Sequence, residues 1–282
     1  MARVKSEQDR IKLVDFLAET KGISKGAAKK LVDSKSVYVN GKRVWMAKHE
    51  LNAGDEVISR EAKPTIIATA AAPLAVEILF HEHGLLVANK PAGITTNHKQ
   101  ASLEALIQKQ ENNNRLKAAH RLDKDTSGCV IFSERPDVID HLIKQFKERT
   151  VKKQYLAIVK GNVDFKERTI RSPIEHREAI THFTCLRRGK AYSLVQAEIE
   201  TGRKHQIRIH LHRQKHPVAG DKDYHTPGRL DRTEMAVTRM MLHASSICFR
   251  IPKTGKTVTV TAPLPEDMKA QLNRLGIKPP AT

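Results

Sequence analysis

Cysteine is scarce. The 282 residues hold three, Cys129, Cys185 and Cys248. They are far apart, odd in number and without Cys-x-x-Cys spacing, which excludes a disulfide framework and a zinc finger. Long apolar runs are missing as well. No stretch approaches the ~18 residues of a membrane span, and the first dozen residues carry charges where a secretory leader has its apolar core. A cytosolic protein is expected. Acidic residues are outnumbered: 31 Asp and Glu stand against 50 Lys and Arg, a formal net charge of +19. Solubility alone does not ask for so one-sided a charge. No basic amphipathic helix with bulky apolar anchors accompanies it, so a membrane surface fits less well than a polyanion whose phosphates the charge neutralises. No internal repeat, low-complexity tail or Gly-rich phosphate loop is present. What remains is a chain of 39% hydrophobic residues, with room at ~100–200 residues per domain for one large domain and one small.

Residues 10–59 read as a compact module. Ile11, Val14 and Leu17 recur at helical spacing. Ser24 can cap a second short helix whose Ala27, Ala28, Leu31 and Val32 fall on one side, opposite Lys25, Lys29 and Lys30. Val37–Val39 predicts a strand and Asn40-Gly41 a tight hairpin turn. Lys42, Arg43 and Val44 lead out of it, and Glu56–Ile58 closes the module as a strand. From Lys21 to Arg43 there are seven Lys or Arg against one acid, Asp33. This order, with Gly22-Ile23-Ser24, Val39-Asn40-Gly41 and Gly54-Asp55-Glu56-Val57, resembles the S4 RNA-binding module. Any one of these cations is as readily a solvated surface charge. Together Lys25, Lys29, Lys30, Lys42 and Arg43 favour contact with an RNA backbone.

Residues 61–75 contain Pro64 and Pro73 with no amphipathic pattern between them and predict a linker, so the small domain spans 1–60 and the large one 76–282. In the latter, Leu85–Ala88 predicts a buried strand ended by the turn residues Asn89-Lys90-Pro91-Ala92-Gly93. Ser102–Gln110 and Pro136–Arg149 predict helices, the second with Pro in its first turn. Gln154–Gly161 predicts a strand buried on both faces, His182–Leu186 and Ala191–Glu200 two more. Met241–Ile251 and Thr257–Ala262 predict strands before a helix over Glu266–Arg274. Lys204–His212 stays ambiguous. Gln206, Arg208, His210 and His212 alternate with Ile207, Ile209 and Leu211 as in a strand, yet Ile207/Leu211 and Arg208/His212 are i,i+4 pairs of a helix.

The stretch from His120 to Gly128 sets a carboxylate, Asp123, behind a basic pair. It ends in Thr126, Ser127 and Gly128, which suit a tight turn and a close approach of backbone to ligand. The apolar Cys129–Phe132 follows as a buried strand. Alone, these nine residues fit a charged turn as well as a reactive site.

Five separated segments together resemble the RluA-type pseudouridine synthases. They are Asn89-Lys90-Pro91-Ala92-Gly93, His120-Arg121-Leu122-Asp123 with Thr126-Ser127-Gly128, Lys153-Gln154-Tyr155-Leu156-Ala157, Thr201-Gly202-Arg203-Lys204-His205-Gln206-Ile207-Arg208-Ile209-His210, and Leu242-His243-Ala244. The resemblance covers roughly residues 76–265, and an S4-like module is a common companion in that family. It implies an α+β catalytic domain on a mixed, largely antiparallel sheet, isomerisation of uridines in structured RNA, and no cofactor or metal. Two positions depart from the pattern: Lys204 stands where Thr is usual, and His225 where Gly is usual after Gly220-Asp221-x-x-Tyr. Lys cannot cap a helix as Thr can.

Pseudouridine formation detaches uracil from its ribose, rotates it and rejoins it through carbon. The resemblance makes Asp123 the nucleophile, a carboxylate that is ionised without an activating base. Attack on ribose, attack on the ring and elimination across the sugar all stay open. It makes Arg208 the cation that pairs with Asp123, offsetting the desolvation of a closed pocket. Tyr155 would lie against the target base, its hydroxyl available for proton removal, and Arg121 would stack where the extruded uridine had been. Asp125 reads as a turn residue and Leu242 as packing beneath the site. His205, His210, His212 and His216 are close in sequence, but on a helix His205 faces away from His210 and no thiol or carboxylate completes a metal set. His120 and His205 read instead as hydrogen-bonding residues that fix the motif loops. The expected partner is RNA, ribosomal RNA before transfer RNA because of the S4-like module, for a monomer in the cytoplasm. A non-catalytic RNA-binding factor and a uracil-releasing glycosylase are the alternatives. Intact Asp123, Tyr155 and Arg208 argue against the first, and the lack of an activated-water constellation against the second.

Overall fold

The computed structural model describes residues 2–4, 10–33, 37–44, 46, 49–59, 75–97, 101–225, 237 and 239–280. They form two compact units, one within residues 1–69 together with Val237 and one within 70–225 and 239–282. The expected linker lies, up to residue 74, outside the described residues.

The smaller unit holds β1 (Ala2–Arg3), β2 (Ile11–Lys12), α1 (Leu13–Lys21), α2 (Lys25–Asp33), β3 (Val37–Val39), β4 (Lys42–Val44), β5 (Glu50–Leu51) and β6 (Glu56–Ser59). An antiparallel sheet runs β1-β6-β3-β4, and β2 pairs with β5. The buried stripe of α1 is Leu13, Phe16 and Leu17, not the expected Ile11, Val14 and Leu17. The chain is still extended at Lys12 (φ −69°, ψ 137°), so Ile11 pairs with Leu51 before the helix begins. Gly22 ends α1 at φ +62°, and the Ile23 N–H returns to the Ala18 carbonyl at 3.1 Å, a left-handed helix stop that glycine adopts without steric cost. Ser24 caps α2 as expected, its Oγ accepting from the Ala27 N–H at 3.2 Å. Asn40 (φ +50°) and Gly41 (φ +76°) make the tight hairpin turn. The Asn40 amide donates to Asp55 Oδ1 at 2.7 Å and accepts from the Glu56 N–H at 2.9 Å, which locks that hairpin to the next turn.

The larger unit holds β7 (Ile78–Glu82), β8 (Leu85–Lys90), α3 (Leu103–Gln110), β9 (Lys117–Ala118), β10 (Ser127–Ser133), α4 (Pro136–Lys147), β11 (Lys152–Lys160), β12 (Glu167–Arg171), β13 (Ile180–Arg188), β14 (Tyr192–Ile199), α5 (Gln206–Arg213), β15 (Leu242–Arg250), β16 (Thr257–Thr261) and α6 (Glu266–Arg274). Its sheet runs β12-β13-β14-β11-β15-β10-β8-β7, with β16 on β15 and β9 on β10. Among the described strands all its pairings are antiparallel except that of β10 with β15. Successive side chains point to opposite faces. Leu86, Ala88, Val130 and Phe132 therefore share one core with Leu103 and Ile107 of α3 and Ile207 and Leu211 of α5. Leu85, Val87, Cys129 and Ile131 share the other with Val138 and Leu142 of α4. No helix among the described residues is long and apolar enough to cross a membrane.

The turn expected at Thr126–Gly128 lies earlier. It is closed by the Thr126 N–H on the Asp123 carbonyl at 3.1 Å, and Ser127 and Gly128 already belong to β10. Gly128 has φ +113°, and a Cβ there would lie 2.1 Å from the Ala244 carbonyl oxygen. Its close approach is to the parallel strand β15, not to a ligand. Without a side chain at this one position the two backbones can meet, and the meeting anchors the loop that carries Asp123.

Candidate active site

The Asp123 loop is braced from below. Thr96, buried, accepts the Leu122 N–H on its hydroxyl and donates to the Leu122 carbonyl, both at 3.1 Å. The Gly93 N–H reaches the Lys124 carbonyl at 2.9 Å. Lys90 is fully buried at the end of β8, and its ammonium donates to the carbonyls of Pro91 (3.0 Å), Ile94 (2.8 Å) and Lys124 (2.9 Å). Burial lowers its pKa to about 7 against the opposing charges of Asp125 and Asp123. The sequence suggested only a turn here; the lysine is a strut that ties that turn to the loop beside Asp123. His120 has the structural role expected of it. Its Nε2 accepts from the Ile131 N–H at 3.1 Å, and burial, helped by the charge of Lys153, lowers its pKa to about 3.

The opposite wall is α5. From Gln206 the stretch Lys204–His212 resolves as a helix, and its i,i+4 pairs meet three different surroundings. Gln206, buried, accepts from the Thr201 hydroxyl (2.7 Å) and the Arg203 N–H (3.0 Å), and donates to the Ile180 carbonyl (2.9 Å) and the Thr181 hydroxyl (3.0 Å). His210 meets the Thr181 hydroxyl and the Ser172 carbonyl, each at 2.9 Å. Ile207 and Leu211 enter the core. Arg208 faces the Asp123 side. The helix starts without a side-chain cap from residue 204 or 205, and His205 at its N-terminus is left-handed (φ +55°, ψ 23°). With Lys204 in place the helix still begins at Gln206, so the departure leaves the helix start intact. The loop beyond the His225 departure lies outside the described residues.

Arg208 does approach Asp123, NH1 to Oδ2 at 3.7 Å, but its tighter partners are others. Nε and NH2 clasp Asp221 at 2.6 and 2.7 Å, and NH2 also reaches Asp223 at 2.9 Å. Burial alone would lower the pKa of Arg208; the bonds and charge of Asp221, then Asp223, outweigh it and hold the guanidinium above its ordinary value. The N–H groups of Asp223 and Tyr224 donate to Asp221 Oδ1 at 2.9 and 3.0 Å. Sequence reasoning missed Asp221, Asp223 and Tyr224. The only signal was the Gly220-Asp221-x-x-Tyr pattern, in which nothing reveals that the Asp is buried against an arginine.

Asp123 and Arg208 border an open cleft of about 700 Å³, with Thr95–Asn97, Arg121–Asp125, Gly202–His205, Lys222, Asp223 and Met240, within the roughly 300–1,000 Å³ usual for small-molecule sites. The Asp123 side chain is 32% exposed and Arg208 7%. The carboxylate is thus reachable while its cation is fixed and dry. Arg121 lines the same cleft and is exposed. Asp125 lines it too, and Leu242 is buried in the core cluster that also holds Leu122 and Tyr155. Tyr155 is not a cleft-lining side chain. It sits where the β11–β15 register slips between Gln154 and Leu156, an irregularity of the kind that re-aims a side chain. Burial raises its phenol pKa, and the charge of Asp123 raises it further.

The histidines are spent separately. His216 Nδ1 meets the Lys160 carbonyl at 3.0 Å, and His243 meets the Ser127 hydroxyl at 3.0 Å. Among the described residues no group of three or more His, Cys, Asp or Glu could hold a metal ion. Of the cations expected on RNA, Lys25, Lys29 and Lys42 are exposed in the smaller unit, and Lys25 pairs with Asp15 at 2.9 Å. Arg43 lies over the Tyr38 ring, 5.4 Å from its centroid. The Lys30 side chain lies outside the described residues.

The chain is similar to known proteins. The family model for RNA pseudouridylate synthase matches residues 84–213 and that for the S4 domain residues 11–57. The uncharacterized RNA pseudouridine synthase YlyB of Bacillus subtilis is 30% identical over 302 aligned positions, covering 96% of each chain. Ribosomal large subunit pseudouridine synthase C of Pasteurella multocida is 33% identical over 292, covering 92% of this chain and 88% of that protein. Human RNA pseudouridylate synthase domain containing 4 shares the fold, with a TM-score of 0.62 at 24% identity over 72% of this chain and 94% of the human one. With an S4 domain at its N-terminal side, the chain belongs to the RNA pseudouridylate synthases of the RluA type, isomerases that convert uridine in RNA to pseudouridine.

Proposed function

We propose that this chain isomerises uridines of ribosomal RNA, working as a cytoplasmic monomer, with Asp123 as the reacting carboxylate. The observation that carries the assignment is the contrast in the cleft: a reachable Asp123 carboxylate beside a buried Arg208 guanidinium 3.7 Å away. The guanidinium, held by Asp221 and Asp223, sets a fixed positive charge beside that carboxylate. Arg121, exposed in the cleft wall, is suited to stack in the gap left by an extruded uridine, whose removal from a stack costs a few kcal/mol. Tyr155 serves as a packed ring with a neutral hydroxyl. Burial and the charge of Asp123 both raise its pKa and keep that hydroxyl protonated. Lys25, Lys29, Lys30, Lys42 and Arg43 supply backbone contacts from the S4 domain. Ribosomal RNA is favoured over transfer RNA because a relative 33% identical is a ribosomal large subunit pseudouridine synthase. One cleft of one chain supplies Asp123, Arg208 and Arg121, which supports the monomer. A ribosomal RNA target supports the cytoplasm.

The test is Asp123→Asn, incubated with ribosomal RNA and read by pseudouridine mapping beside a binding titration at fixed salt. Isomerisation is expected to vanish and RNA affinity to stay within a few-fold. Appreciable turnover in that variant would remove Asp123 from the reaction. Free uracil released by the unsubstituted protein would point to a glycosylase.

A further inference from the structure

Asp123 has a second neighbour that the cation pairing does not use. His205 Nε2 lies 3.9 Å from Asp123 Oδ2, the same oxygen that faces Arg208 at 3.7 Å. The other ring nitrogen, Nδ1, lies 3.2 Å from the Tyr224 hydroxyl, and the two rings meet edge to face at 5.6 Å. Tyr224 is itself held: its backbone N–H donates to Asp221 Oδ1, and the Arg208 guanidinium lies 4.9 Å from its ring centroid. His205 holds a left-handed backbone (φ +55°) at the start of α5.

Two neighbours constrain the proton on this imidazole. The carboxylate is an acceptor that needs a donor at Nε2, and the tyrosine hydroxyl, able to donate or accept, donates to Nδ1 when the ring is neutral. Of the two neutral tautomers only the one protonated at Nε2 satisfies both. Burial keeps the ring neutral by lowering its pKa, aided by Arg208 and Lys204 and opposed by Asp123 and Asp223. Burial likewise raises the Tyr224 pKa, so its hydroxyl keeps the proton it donates.

We propose that Tyr224 and His205 are a positioning pair for the reacting carboxylate. Tyr224 sets the His205 tautomer, His205 turns an Nε2–H toward Asp123 Oδ2, and Arg208 approaches that same oxygen. Oδ1, which has no ion-pair contact among the described residues, is then the oxygen that reacts. At 3.9 Å the His205 contact is longer than a hydrogen bond, as catalytic contacts commonly are before substrate is bound. The proposal rests on Asp123 being the reacting group, but its first test does not.

That test is a long-range proton–nitrogen correlation spectrum of the full chain labelled with 15N-histidine, in which the two tautomers and the imidazolium give distinct patterns. His205 is assigned by the signal lost in His205→Asn. The expected result at neutral pH is a single Nε2–H tautomer that becomes a mixture in Tyr224→Phe, which keeps the ring and removes the hydroxyl. A wild-type Nδ1–H tautomer or imidazolium, or no change in Tyr224→Phe, overturns the proposal whatever the role of Asp123. In turnover, Tyr224→Phe and His205→Asn are expected to lower kcat by about 10–100-fold, the size seen when an outer partner orienting a histidine is removed, with KM within twofold. Asparagine tolerates the left-handed backbone but carries its amide at the Nδ1 end. His205→Gln reaches the Nε2 end and is expected to recover part of kcat. A KM rise at unchanged kcat would make the pair an RNA contact and sink the positioning role.

Discussion

Asp221→Asn isolates one charge in the most buried ion pair described at the site. Asparagine preserves the shape and an oxygen for the N–H groups of Asp223 and Tyr224, which reach Asp221 Oδ1 at 2.9 and 3.0 Å. It removes the carboxylate that clasps Arg208 at 2.6 and 2.7 Å. At that separation and an effective dielectric near 20, the attraction is about 6 kcal/mol. Desolvating two buried ions costs several kcal/mol each, so the intact pair nets little. Losing one partner leaves the burial cost of Arg208 uncompensated, about 3–5 kcal/mol. Asp223 remains at 2.9 Å, but its side chain is 42% exposed, and such a contact returns at most about 1 kcal/mol. The expected net loss is therefore about 3 kcal/mol, a fall of roughly 6–12 °C in the Tm of a unit this size. Urea unfolding followed by far-UV circular dichroism should show the midpoint falling with m unchanged. Arg208→Met with Asp221→Asn removes both charges while keeping the acceptor for those N–H groups, and should come within about 1 kcal/mol of the parent. A single substitution costing under about 1 kcal/mol, or a double one as costly as the two singles summed, would refute this account of the pair.

Other expectations follow from single residues. Gly128→Ala puts a Cβ 2.1 Å from the Ala244 carbonyl oxygen at φ +113°; strain and overpacking together should cost about 2–6 kcal/mol, and a chemical unfolding curve matching the parent would show that β10 and β15 separate easily. Lys90 has a pKa of about 7 in the fold against its ordinary 10.5, so between those values the unfolded chain binds the extra proton and stability rises with pH. From pH 7 to 9 the gain is roughly 2 kcal/mol; Lys90→Met should lack it, and equal pH slopes in urea titrations would mean the ammonium stays charged. Replacing Lys25, Lys29 and Lys42 together by Ala should reduce the salt slope of RNA binding by about 2–3, near 0.7–0.9 per lost phosphate contact. An unchanged slope in filter binding at several salt concentrations would make those charges incidental.

Much of the site was legible because its carriers are local. Buried strands such as Leu85–Ala88 and Cys129–Phe132 announce themselves in continuous apolar runs, and the Asn40-Gly41 hairpin in its own dihedral needs. The strands without that signal were missed. β12 is an edge strand with Ile170 its single buried residue, and β7 is only half buried along its length. The α1 stripe shifted by residues because Ile11 precedes the helix, a boundary that depends on pairing with Leu51. Lys90 and Asp221 stood in plain view within motifs, but their burial is a property of neighbours far along the chain.

From its residues alone the chain declares a polyanion-binding protein with a small basic domain and the strands around Asp123; the enzyme came from five separated motifs that resemble a family. Charge, turn chemistry and apolar runs act over short spans, so the sequence displays them directly. The assembly of the site was decided elsewhere. Lys204–His212 satisfies a period of two and a period of 3.6 equally well. From Gln206 on it is a helix because Gln206, Ile207 and Arg208 find three separate sets of partners, at Ile180 and Thr181, in the core and at Asp221. Those same contacts turn Arg208 toward Asp123, and no local preference encodes them.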